Sequence, residues 1–135
     1  MISALDSSVI LDVLTASPSF ADASEALLRQ AATTGKLIIS ECVLAEICPV
    51  FKGQGAVAEF LSDWEIEFVP SSRESVLLAG EHFAQHLKRG GRSGRIVVDF
   101  LIGAHAQTHA DRLLARDRGY LRDYFRKLTV MAPIP

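Results

Sequence analysis

Five short apolar runs, set between longer helical segments, constrain this chain more than any other feature. Residues 2–5, 37–39, 67–69, 112–115 and 128–131 are apolar at most positions and too short for a helix. Between them the apolar spacing changes. Val9, Ile10, Val13 and Leu14 recur at helical intervals, and Ser17-Pro18-Ser19 ends that helix. Ala23, Leu27, Leu28 and Ala31 predict a second helix, which stops near Gly35. Ser40 is placed to cap a third, with Glu41 in its first turn and Pro49 near its end. Further helices are expected over 54–64, 72–87, 96–108 and 119–125. Buried strands that alternate with helices form a parallel sheet covered on both faces. The fold class is therefore α/β, a three-layer α/β/α sandwich around a central parallel sheet.

A chain of 135 residues with 49% hydrophobic content can build one core, so a single domain over 1–135 is expected. The opening MISALDSSVI has no basic region and is interrupted by Asp6, unlike a secretory signal. No apolar stretch approaches the ~20 residues of a membrane span. These features point to a cytoplasmic protein with no membrane partner. Cys42 and Cys48 lack zinc or disulfide-scaffold spacing, and read as two buried thiols in a reducing compartment. The net charge of -2 hides an asymmetry: residues 1–87 hold 4 Lys/Arg against 12 Asp/Glu, and residues 88–135 hold 10 against 4. The basic C-terminal third is either a solvated surface or a track for a phosphate backbone. It contains Arg89-Gly90-Gly91-Arg92-Ser93-Gly94-Arg95, where three glycines in five residues allow unusual backbone freedom.

Four acids stand out. In a parallel sheet the strands end at a common edge, and ligands bind outside their carboxyl ends. Asp6 follows the first strand directly, and Asp117 lies two residues beyond the fourth. Asp99 is embedded in Ile96, Val97, Val98, Phe100, Leu101 and Ile102, where a lone buried carboxylate is costly. Glu46 interrupts an apolar stripe of Cys42, Val43 and Val50. Each has a structural alternative: Asp6 and Asp99 as helix caps, Asp117 in an Asx turn against Gly119, Glu46 paired with an arginine. Together, converging carboxylates repel one another, and a hard divalent cation relieves that repulsion. Asp123 is a candidate fifth member. Glu41 has its place at the helix dipole, and Asp12, Asp22, Glu25, Glu59, Asp63, Glu65, Glu74 and Glu81 fit exposed helix faces or loop edges.

With these acids in view, "MISALDSSVILDVL" resembles the opening of a PIN domain, "SECVLAEI" its second acidic segment, and "VVDFLIGAHAQTHADRLLARDRGYLRDYF" its third and fourth. Order and spacing match across nearly the whole chain, and the length is similar to that of the VapC toxins of bacterial toxin–antitoxin pairs. The resemblance implies an Mg²⁺- or Mn²⁺-dependent endoribonuclease. It implies Asp6, Asp99 and Asp117 as metal ligands, directly or through water, and Glu46 as a ligand or water-positioning carboxylate. It also implies a homodimer, and an antitoxin whose tail lies over the acidic cleft with an Arg or Lys replacing the cation. RNA is the expected substrate, its backbone guided by Arg89, Arg92 and Arg95 and by Arg116 and Arg118, which flank Asp117.

The chain departs from the family pattern twice. Ser8 stands where Asn is common, and Ala115 where Thr or Ser is common, two residues before the fourth acid. Ser8 can still donate a hydrogen bond to a carboxylate; Ala115 cannot, which weakens the expected support around Asp117. Two rival readings follow. One is a PIN-like module that binds or scaffolds without cutting. The other is an aspartyl-phosphate phosphatase with Asp6 as nucleophile, though such chemistry commonly wants an acid at the position of Ser8. The His82/His86 and His105/His109 pairs have no third ligand in view, and His105 lies about 240° around its helix from Asp99. Trp64 and the phenylalanines read as core rather than as stacking platforms for bases.

Overall fold

The computed structural model describes residues 1–92, 94, 96–116 and 119–135, with the backbone alone at 119, 120 and 122. Its elements are β1 (Ser3–Leu5), α1 (Ser7–Leu14), α2 (Ala21–Thr34), β2 (Leu37–Ile39), α3 (Glu41–Ile47), α4 (Gln54–Asp63), β3 (Ile66–Phe68), α5 (Arg73–Lys88), α6 (Ile96–His109), β4 (Arg112–Leu114), α7 (Gly119–Tyr124) and β5 (Val130–Met131). A short 3-10 turn, Cys48–Val50, follows α3.

The strands form one five-stranded sheet, ordered β3-β2-β1-β4-β5, and every pair is parallel. The chain steps outward from β1 to β3, then crosses back to β4 and β5. Such connections are right-handed, so the change of direction puts helices on both faces. Burial follows position in the sheet. All residues of β1 and β2 are buried, whereas the edge strand β3 exposes Glu67 and Phe68. The core is built from Leu5, Val9, Ile10, Leu28, Leu37, Ile39, Ile47, Phe100, Leu113, Leu114 and Phe125, among others.

Local chemistry accounts for the helix boundaries. Asp6 caps α1 and accepts from the Ser8 N–H; Ser40 caps α3 and accepts from Val43. Ser72 and Ser75 cap α5 reciprocally. Helix α6 is apolar nearly all round, as a helix held between neighbours must be. It pairs with α5 and also touches α3, β1 and β4. At Gly103 a Cβ would come within 2.7 Å of the Phe125 ring, so the glycine is the seat for that ring.

The structure corrects two expectations. Asp12 is not on an exposed helix face; it is 2% exposed and ion-paired. Of the two thiols expected to be buried, Cys42 is half-buried and Cys48 is exposed, one residue further round the helix than buried Ile47. No helix among the described residues is long and apolar enough to cross a membrane.

Candidate active site

The parallel sheet brings the ends of β1, β2 and β4 to one edge. Leu5 is in register with Leu114, and the Asp6 N–H donates to the Leu114 carbonyl at 2.9 Å. Asp6 therefore leaves the sheet beside the segment that leads to Asp117. Its carboxylate is 3% exposed and accepts from the Ser8 N–H on Oδ2 at 3.2 Å. The capping role foreseen as its structural alternative is thus present.

The residue after Asp6 connects it to the second acid. The Ser7 hydroxyl donates to Glu46 Oε1 at 2.9 Å and so links the start of α1 to α3. Asp99 lies in the first turn of α6 and is 8% exposed. That helix packs against both α3 and β1, so the elements carrying Asp6, Glu46 and Asp99 are mutual neighbours. Asp117, Arg95 and Arg118 lie outside the described residues. Among the described residues no group of three His, Cys, Asp or Glu side chains is gathered tightly enough to hold a metal ion. The oxygen donors described at this edge are carboxylates and hydroxyls, and the Cys42 thiol near Glu46 is kept protonated by burial and by the charges of Glu41 and Glu46. That chemistry suits a hard divalent cation such as Mg²⁺ or Mn²⁺.

Ser8 supports the edge differently from expectation. Its hydroxyl accepts from the Arg116 backbone N–H at 3.3 Å, so it ties α1 to the chain beyond β4. The role expected for Arg116 changes too. Its guanidinium is bound to the Asp12 carboxylate, through Nε to Oδ2 at 3.1 Å and through Nη2 to Oδ1. It also lies 4.2 Å from the Phe20 ring centroid. With its charge engaged by a buried acid, Arg116 is poorly suited to guide a phosphate backbone. Sequence reasoning missed Asp12. The available signal was its place one helical turn beyond Ser8, on the face that meets the carboxyl edge. Arg92 is exposed, and its carbonyl accepts from His86 Nε2 at 3.1 Å. Asp123, the candidate fifth acid, is exposed on α7.

The histidines serve the fold. His105 is 1% exposed and donates from Nε2 to the Val69 carbonyl at 2.7 Å. Burial pushes its pKa down, and neighbouring His109 adds to the effect, against the Val69 hydrogen bond and the Glu41 charge. His109 meets the Ser72 hydroxyl that caps α5. His82 packs edge-on against Phe125. For Glu41, burial opposes ionisation. The Ser71 N–H, donating to Oε1 at 2.7 Å, acts together with the Glu41 N–H, the Ser71 hydroxyl and the nearby His105, and their combined effect lowers its pKa.

The five-stranded parallel sheet, with helices on both faces, Asp6 at its carboxyl edge and Glu46 tied to the start of α1 through Ser7, defines the chain as an α/β protein of the parallel-sheet class. The comparisons identify the family. The PIN domain pattern matches residues 4–125, nearly the whole chain, and the chain belongs to the PIN domain family. No curated protein matches it closely. Among solved structures it is similar to VapBC2 from Rickettsia felis bound to a DNA fragment from their promoter, with 23% identity, a TM-score of 0.74 and 98% of each chain covered. It is also similar to VapBC-1 from nontypeable Haemophilus influenzae, with 17% identity, a TM-score of 0.70 and 98% of each chain covered. A third likeness is to FitAcB from Neisseria gonorrhoeae, with 17% identity, a TM-score of 0.67 and coverage of 97% of this chain and 96% of that one.

Proposed function

We propose that this chain is a single-domain, Mg²⁺- or Mn²⁺-dependent endoribonuclease over residues 1–135, acting in the cytoplasm as the toxin of a VapBC-type pair. The observation that carries this reading is the placement of the acids. Asp6 stands at the carboxyl edge, is linked through Ser7 to Glu46, and lies among the elements that carry Asp99. In the PIN family these positions are the acidic motifs, and Asp117 completes the set.

In this reading Asp6, Asp99 and Asp117 hold the cation. The bound ion supplies an activated water and neutralises charge on the phosphodiester. Glu46, oriented by the Ser7 hydroxyl, positions the attacking water and draws off its proton. The burial of Asp6 and Asp99 keeps bulk water from competing for their oxygens. Exposed Arg92, together with Arg89, Arg95 and Arg118, steers the RNA backbone by charge. Partners follow from the same reading: a second copy of the chain, and an antitoxin whose basic side chain neutralises the acids in place of the ion.

The test is cleavage of a panel of RNAs by purified protein with Mg²⁺, Mn²⁺ or EDTA. Cleavage should require the metal, and co-purification with the antitoxin should abolish it. Undiminished cleavage in EDTA would contradict the metal mechanism. RNA binding without cleavage under any metal would favour a silent binding module. A covalent aspartyl-phosphate at Asp6 would favour the phosphatase.

A further inference from the structure

We infer that Asp12 and Arg116 form an anchor that fastens the chain just beyond β4 to α1, the helix that starts at Asp6, which makes both of them positioning residues for the proposed nuclease. The inference rests on that reading. Asp12 is buried on α1, yet it is not a ligand candidate: its two oxygens face the guanidinium fork of Arg116 from residues 104 positions away. Oδ2 also accepts from the Ser24 hydroxyl of α2 at 2.8 Å. The two-point contact fixes direction as well as distance, which a single contact does not. Phe20 lies beneath the guanidinium and restricts its plane.

Arg116 is thereby held at two points on one helix. Its side chain is held at Asp12, and its backbone N–H at Ser8, one turn nearer the cap. The cap of that helix is Asp6. The next residue in the chain after Arg116 is Asp117. The anchor therefore links the segment that carries one acid to the helix whose start carries another.

A phosphate-guiding arginine would be written differently. It would stand on a lysine- or arginine-lined surface with its charge unspent. The Arg116 side chain is 40% exposed, but it is ion-paired to a carboxylate that is 3% exposed. Removing it leaves that carboxylate buried without its cation, a strongly unfavourable state.

The experiment compares wild type with Arg116→Gln, Arg116→Lys and Asp12→Asn. A double variant, Asp12→Leu with Arg116→Met, replaces the ion pair by apolar groups of similar size and keeps the test open if the single variants do not fold. Each folded variant is titrated with Mn²⁺ without RNA, using the melting temperature as readout, and then assayed for kcat and KM. The anchor predicts that about tenfold or more Mn²⁺ is needed, and that kcat falls while KM changes little. Arg116→Lys keeps the charge but not the fork, and should rescue only in part. Folded variants with wild-type Mn²⁺ midpoint and kcat would overturn the proposal. So would Arg116→Gln acting through a raised KM and a flattened salt dependence alone, which would make Arg116 an RNA contact. If the wild type neither binds Mn²⁺ nor cuts RNA, the nuclease reading falls. Hydrogen exchange of the Arg116 amide then judges the anchor by itself. Selective acceleration in Arg116→Gln supports it, and unchanged protection overturns it.

Discussion

At Asp6 one side chain serves both fold and chemistry, and the two roles can be separated. The carboxylate caps α1 through the Ser8 N–H. Asparagine caps helices about as well as aspartate, whereas alanine costs about 1 kcal/mol. Asp6→Asn should therefore melt close to wild type yet lose more than the ~100-fold in cleavage that an outer-sphere change costs. Asp6→Ala should lose the same activity and melt lower. If Asp6→Asn retains cleavage within a few-fold, Asp6 is only a cap. Its neighbour tests the next step. Ser7→Ala removes the donor to Glu46 Oε1 without touching an acid. It should lower kcat roughly tenfold and leave the Mn²⁺ requirement of Asp6 and Asp99 nearly unchanged. Equal kcat in wild type and Ser7→Ala would mean that Glu46 needs no orientation from α1.

The elements are held in register by contacts remote from the acids, and His105 is the most consequential. It belongs to α6 and donates to the Val69 carbonyl just past β3, so it fastens the helix bearing Asp99 to the edge strand. Burial lowers its pKa below the ordinary 6.5. In the folded protein the ring therefore stays neutral at pH values where the unfolded chain is already protonated. The unfolded state binds the extra proton, so this contribution to stability is intact above about pH 6.5 and declines as pH falls below it. His105→Gln keeps an N–H donor but cannot titrate. Between about pH 7.5 and 5, urea midpoints of the wild type should fall more steeply than those of His105→Gln. Parallel decline of the two would assign the acid sensitivity to other groups.

For the molecule as a whole, the sheet was the most legible part of the sequence, because short apolar runs and helical spacing are local signals. The expected strand over 67–69 begins one residue earlier, at Ile66, and the run over 128–131 contributes strand only at Val130–Met131. Edge strands have one paired side, so their boundaries are weakly imposed by pattern. Asp6, Glu46 and Asp99 stood out in the sequence because each is an acid in an apolar setting, and the elements that carry them are neighbours in the fold. The Asp12–Arg116 pair was not legible. Helical periodicity tells which face Asp12 occupies but not which residue across the sheet meets it. The exposure of Cys48 was also hidden, since it stands beside buried Ile47 but about 100° further round the helix, and periodicity alone does not say where the buried face ends. The central claim, that these acids jointly hold a divalent cation, is tested most directly by thermal melts of wild type and Asp99→Asn in EDTA and in saturating Mn²⁺. Binding only to the folded state at about a hundredfold over Kd should raise the wild-type melting temperature by on the order of 10 °C. It should raise that of Asp99→Asn by much less, while the variant in EDTA melts at or above the wild type because one like charge is gone. A wild type indifferent to Mn²⁺, together with an Asp99→Asn that melts lower in EDTA, would contradict the account.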